Sequence, residues 1–224
     1  MKALPILFLT LLVTSCGFYI PQSADVPLIN HKNDIRIDAG ANRLFTAGMA
    51  TVSYGLTDKV AVQAYGSLGS NNRYFYHGAL GWYKNLENRN VMEVYVGAGN
   101  GYGYNSNHDT GTDKSGNYQV YFSQFNYGKL GGESGIWDLG FGLKAGIFHS
   151  NILTEYDPVM SGNQPSLTNI DNNLLIEPNF FVRIGDDHVK FSVKMSSVYI
   201  SGHNNSASLP YFPLNLGVGL NIRL

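Results

Sequence analysis

The string His149-Ser150-Asn151 has the residue types of acyl transfer: an imidazole to take a proton, a hydroxyl to attack, an amide to orient. The spacing works against it, because neighbouring residues of a strand point to opposite faces and a base must approach the hydroxyl to about 2.6–3.2 Å. No catalytic residue is assigned. The six histidines, His31, His77, His108, His149, His188 and His203, include no pair at the spacing of a helical metal site, and solvated or rim positions are expected for them. Asn105, Asn107 and Asp109, followed by Gly111, could offer oxygens to a calcium ion, but position 116 is Gly where such a loop needs a bidentate Glu. Phosphate-binding glycine motifs, nucleophile elbows and helical zinc motifs are absent. No metal or cofactor is expected.

Chemistry is better supported at Cys16, the sole cysteine of the 224 residues. One cysteine excludes a disulfide framework and a Cys-based zinc site. Ahead of it, Lys2 supplies a positive charge, and residues 4–13 form an apolar stretch broken only by Pro5 and Thr10. That stretch falls short of the roughly 20 residues of a bilayer-spanning helix and matches the apolar region of a secretory signal. Leu12-Val13-Thr14-Ser15-Cys16 resembles the bacterial lipobox. The resemblance implies diacylglyceryl transfer to the Cys16 thiol and cleavage before it, so residues 1–15 are expected as signal peptide. More than one acyl chain makes such anchoring stable, at about 0.8 kcal/mol per buried methylene. Gly17, rather than Asp, follows the cysteine, which by the same resemblance implies no retention at the inner membrane. Residues 17–32 carry Pro21 and Pro27 without a clear period, so 16–32 reads as a lipidated, extended tether.

The remaining chain, 33–224, must supply the folded part. Charged residues are 14%, against about 25% in soluble domains. Hydrophobic residues at 44% exclude a disordered chain. Fifteen Lys+Arg against sixteen Asp+Glu leave no basic patch for nucleic acid. No segment sustains a helical apolar period, whereas alternation at period two recurs. Leu214, Leu216, Val218, Leu220, Ile222 and Leu224 share one face, opposite Asn215, Gly217, Gly219, Asn221 and Arg223. Trp137, Leu139, Phe141, Leu143, Ala145 and Ile147 do the same, as do Val189, Phe191, Val193 and Met195. A soluble sandwich rarely turns glycine outward, since Gly weakens strands. A membrane barrel instead puts the apolar face into lipid and glycine and charge into a narrow lumen.

Ten strands are expected, over 34–40, 44–54, 59–68, 74–84, 91–102, 118–128, 136–149, 174–184, 188–200 and 211–224, with eight an alternative if the first pair lies outside the membrane. Strands of about 10 residues suit an oblique bilayer crossing. Short connections at 55–58, 85–90, 129–135 and 185–187 fall on the side of the tether. Longer ones at 103–117, 150–173 and 201–210 fall on the other, the usual asymmetry of membrane barrels. The face assignment of 118–128 is ambiguous. On this pattern 33–224 resembles the outer-membrane β-barrel domain of Gram-negative bacteria, and 215–224 is similar to the β-signal read by the assembly machinery, though it ends in Leu rather than Phe or Trp. The expected fold is all-β: a single antiparallel up-and-down transmembrane barrel behind a signal helix and tether. The resemblance implies the cell outer membrane, with the lipid bilayer as partner and Cys16 as anchor.

On this register Arg36, Lys144, Arg183, Lys190, Lys194 and Arg223 point inward with Asp38, Glu93, Asp138 and Glu177. In a narrow interior unpaired charge is costly, so mutual pairing is expected. A structural or interaction role follows, with the long outer loops free to meet an external protein or glycan. Three alternatives stay open. Lys190, Lys194 and Arg223 could line a narrow anion-attracting pore or small-ligand transporter. His149-Ser150-Asn151 is similar to the His-x-Ser-Asn motif of outer-membrane lipid A deacylases, with one residue missing. Gly81-Trp82-Tyr83 resembles the Gly-x-Trp element of lipocalins, which would make the chain a periplasmic carrier.

Overall fold

The computed structural model describes residues 19, 25–42, 47–107, 111–131, 135–156, 166–201 and 214–224. Its strands are β1 (Ile35–Asn42), β2 (Ala47–Gly55), β3 (Val60–Gly69), β4 (Tyr74–Asn85), β5 (Asn90–Asn107), β6 (Thr112–Lys129), β7 (Trp137–Tyr156), β8 (Leu167–Gly185), β9 (Val189–Ser197), β10 (Tyr199–Ile200) and β11 (Leu214–Arg223). From β1 to β9 each strand pairs antiparallel with the next, β11 pairs with both β9 and β1, and the sheet closes on itself. The two-residue β10 pairs with β8 beyond the end of β9, so β9 and β10 are one stave interrupted at Val198. The wall therefore has ten staves, which excludes the eight-strand alternative: β1 is an integral stave, with Ile37 opposite both Val52 and Ile222.

In the band where all ten staves pair, closure leaves no open edge among the described residues, as a chain surrounded by lipid requires. Alternation decides which way each side chain points. Leu139, Leu143 and Ile147 on β7 are exposed, and so are Phe191, Val193 and Met195 on β9 and Leu220 on β11. The residues of opposite phase are buried or half-buried and face the barrel interior. The lipocalin reading fails here, because the greasy stripes face away from the axis rather than into it. The ambiguous strand β6 turns Tyr118, Val120, Phe122, Gln124 and Asn126 inward.

The end with connections 56–59, 86–89, 130–136 and 186–188 is called the inner end, and the opposite one the outer end. Strands β5 to β8 continue outward well past the others, and much of 103–117 and 150–173, expected as loops, is paired strand. Sequence alternation fades there because no lipid selects an apolar face, yet the backbone ladder continues. Exposed Tyr74, Tyr76, Tyr121 and Tyr199 lie toward the outer side, and exposed Trp82 and Trp137 toward the inner side. They are arranged as the two aromatic girdles of a membrane barrel.

Inward glycines make room for large rings. A Cβ on Gly99 of β5 would lie 2.6 Å from the Phe75 ring and from the Tyr76 carbonyl. The space it leaves lets Phe75, His77, Tyr118 and Phe122 form a contiguous aromatic layer.

Candidate functional site

The lumen is occupied by the chain's own N-terminal segment. Asp25, Val26, Leu28 and Ile29 are buried inside the barrel, where the sequence suggested an extended tether. A bare peptide in a closed interior needs partners for its amides, and the wall supplies them. Glu93 Oε1 accepts the Ile29 N–H at 2.7 Å, and its other oxygen accepts from Asn126 at 2.9 Å. Arg183 donates to the Val26 carbonyl at 2.6 Å. Gln63 and Gln124 both donate to the Asp25 carbonyl, at 3.3 and 2.9 Å, and Arg36 donates to the Leu28 carbonyl at 3.2 Å. Apolar contacts complete the seating: Val26 and Leu28 pack with Val91 and Phe181, and Ile29 with Ala61, Tyr83 and Tyr95.

Every expected lumen charge is inside the barrel. Arg36, Asp38, Glu93, Asp138, Lys144, Glu177, Arg183, Lys190 and Lys194 are buried, and Arg223 is 24% exposed at the inner end. Lys144 pairs with Glu177 at 3.6 Å and sits 4.8 Å above the Phe122 ring. Lys190 pairs with Asp138 at 2.7 Å. Lys194 reaches Asp38 at 2.6 Å and Asp25 at 3.0 Å, and Arg183 lies 3.6 and 3.7 Å from the same two carboxylates. Arg36 and Arg223 share Asp34, each at 3.2 Å.

Two of these carboxylates, Asp25 and Asp34, were missing from the sequence reading, which set six cations against four acids. With them, the count among the described residues is even. The signal for Asp34 was legible, since it is in phase with Arg36 and Asp38 on one strand face. Nothing local marks Asp25. The three cations of the pore reading, Lys190, Lys194 and Arg223, each have a carboxylate neighbour, so they form no open ring of positive charge.

Above the ion cluster lies the aromatic layer. Tyr19, at 1% exposed, donates to Glu177 at 2.9 Å. It meets Tyr118 and Phe148 edge-on, at 5.5 and 5.1 Å between centroids. His77 was expected at a rim; instead it is buried, stacked on Tyr65 at 4.9 Å, because it shares the inward face of β4 with Phe75. Below the plug, a cavity of about 350 Å³ at the inner mouth is lined by Arg36, Asp138, Lys190 and Arg223 among others.

The remaining motifs separate. His149 and Ser150 lie mid-strand in β7 rather than at its end. Ser150 is buried within the barrel, while the His149 ring on the opposite face lies 2.7 Å from the Asn172 side-chain oxygen. Trp82 of the Gly81-Trp82-Tyr83 string faces outward. Asn105 is part of β5, paired with Lys114 in a hairpin and not a ligand loop. His108, Asp109, His203 and Cys16 lie outside the described residues. Among the described residues no cluster of His, Cys, Asp and Glu is suited to hold a metal. In the inner turn between β8 and β9, the N–H groups of Val189 and His188 donate to Asp186 at 2.6 and 2.8 Å. These bonds hold its carboxyl below the usual aspartate pKa.

No family model matches the chain, and no curated protein does. Solved structures do resemble it. The outer membrane protease OmpT from Escherichia coli is 8% identical with a TM-score of 0.59, over 91% of this chain and 100% of that one. The N-terminal β-barrel domain of OprF from Pseudomonas aeruginosa is 13% identical with a TM-score of 0.38, over 86% and 98%. The translocator domain of the autotransporter NalP from Neisseria meningitidis is 9% identical with a TM-score of 0.41, over 85% and 87%. At such identities likeness speaks for architecture and not for activity. The closed wall, the outward apolar stripes and the first of these likenesses give the chain the fold of an outer-membrane β-barrel.

Proposed function

We propose that this chain is a lipid-anchored outer-membrane barrel, sealed by its own N-terminal segment and acting as a structural or interaction component. The observation that carries the reading is the course of residues 25–30 through the lumen, bonded to the wall at successive heights by Arg36, Glu93, Gln124 and Arg183. A ten-stranded wall is already much narrower than the 16–18 strands that leave an aqueous channel, and this one holds a peptide and six cations with their counter-ions. The protruding wall of β5 to β8 is the part offered to an external protein or glycan, because it stands clear of the outer tyrosine girdle. Cys16 is the proposed acylation site and adds a second hold on the bilayer.

Planar-bilayer recording tests the seal. The full chain is expected to be silent, and a chain lacking residues 25–30 is expected to conduct in steps. Steady currents from the full chain would establish the pore reading in its place. Metabolic labelling with radioactive palmitate, lost in Cys16→Ala, tests the anchor. The Cys16→Ala chain is expected to stay in the membrane fraction, since the barrel holds itself there.

A further inference from the structure

The N-terminal segment has a direction. At the inner end, the Asn30 N–H donates to Asp34 at 3.0 Å, and Arg223, the last residue of β11, donates to the Asn30 side chain. One step inward, Leu28 lies beside Arg36. Asp25 is higher, level with Gln124 and Lys194 near the middle of β6 and β9. Tyr19 is higher still, against Tyr118, Phe148 and Glu177. Tyr118 precedes Tyr121 on β6 and so lies on the outer side of that girdle residue. Read backward from Asp34, the described residues, 34 to 25 and then Tyr19, stand at successively greater heights from the inner mouth to the outer edge of the membrane band.

Chain length then limits where Cys16 can be. It is three steps along the chain from Tyr19, with two residues between them, a reach of at most about 11 Å at about 3.6 Å per residue. The inner edge is much farther. On β7, from Phe148 beside Tyr19 to the inner girdle at Trp137, a strand tilted by about 40° descends roughly 28 Å. A return path is closed as well, since Gln63, Glu93, Gln124, Asn126, Arg183 and Lys194 fill the section below and are bonded to the segment or to one another. An acyl chain on Cys16 cannot lie in the inner-facing leaflet while Tyr19 keeps its seat.

We propose that the chain threads its own barrel from the inner mouth outward, so that Cys16 and its lipid emerge at the outer end and insert in the outward-facing leaflet. This rests on the outer-membrane and acylation readings above. The lipid and the lumen segment then reinforce one another: the acyl chains prevent the segment from sliding back through the barrel, and Tyr19 with the Asp25 cluster holds the anchor at the outer rim.

The test is a short epitope inserted between Gly17 and Phe18 of the full chain, probed by antibody on intact and on permeabilised cells, with palmitate labelling of the same protein. Antibody binding to intact cells, on a palmitate-labelled chain, is the expected result. Binding only after permeabilisation overturns the threading, whether or not label is present. Surface binding without label keeps the threading and removes the acylation reading, so the two failures are distinct. Because an insertion can disturb the seat of Tyr19, a Val26→Cys, Gly142→Cys pair is made in the tagged Cys16→Ala chain. A Cβ on Gly142 would lie 2.9 Å from the Val26 side chain, and a crosslinked product confirms that the lumen segment is in place where the epitope is read. A tagged Cys16→Ala chain that crosslinks yet hides its epitope on intact cells also overturns the proposal.

Discussion

Arg183 of β8 donates to the carbonyl of Val26 at 2.6 Å, across 157 residues of sequence. Its guanidinium carbon also lies 4.4 Å from the Phe181 ring centroid, over its face, and the same group neighbours Asp25 and Asp38. One wall residue thereby ties the lumen segment by charge and by backbone hydrogen bond. A hydrogen bond to a charged group contributes about 1.5–3 kcal/mol, so Arg183→Leu is expected to open the segment roughly tenfold or more. Maleimide labelling of Val26→Cys, in a Cys16→Ala background, measures this as a faster rate. An unchanged rate would mean that Arg183 does not hold the segment.

Lys194 sits between two carboxylates. Lys194→Met leaves Asp25 and Asp38 close together with Arg183 as their remaining close cation, and breaking a buried pair from one side costs about 3–5 kcal/mol. Urea unfolding followed by heat-modifiable gel migration should show that loss. Lys194→Met combined with Asp38→Asn should recover part of it, because the uncompensated charge is gone. A double variant no more stable than the single one would argue against charge as the cause.

Leu143, 42% exposed at the middle of the β7 stripe, is placed in the lipid. Leu143→Arg is expected to cost about 2–4 kcal/mol, as a cation does near the bilayer midplane. Glu155→Arg, on the outer extension of the same strand, should cost far less. Refolding into lipid vesicles with urea titration compares the two. Equal costs would mean that the stripe does not face lipid.

The inner turn at Asp186 gives a pH dependence. A carboxyl held below its ordinary pKa contributes stability that is present above the unfolded value, near pH 4, and is lost as pH falls through the lower folded value. Amide exchange at Val189 should accelerate in acid below about pH 4, relative to amides bonded only within the sheet. In Asp186→Asn that acid step should disappear. An acid step persisting in the variant would assign it to another group.

Much of the wall was legible in the sequence. Strand alternation depends on local chemistry, since lipid selects one face and a narrow lumen the other, so Leu139, Leu143, Phe191, Val193 and Leu220 could be assigned outward without coordinates. Lumen charges followed from the same phase. The outer ends of β5 to β8 were missed because a stave standing clear of lipid is held by its backbone ladder, which leaves no apolar stripe to read. His77 was missed because its neighbours on other strands, and not its own sequence, make its surroundings aromatic.

Alternation, length and the single cysteine thus determined a lipid-facing wall, its approximate staves and a candidate anchor. Only the tertiary structure decided that the barrel is filled from within and where its segment points. Residues 25–30 carry no strand period of their own, and they are fixed by side chains reached from β1, β3, β5, β6, β8 and β9. Those contacts exist only once the wall has closed, so a local reading of the chain has nothing to report about them.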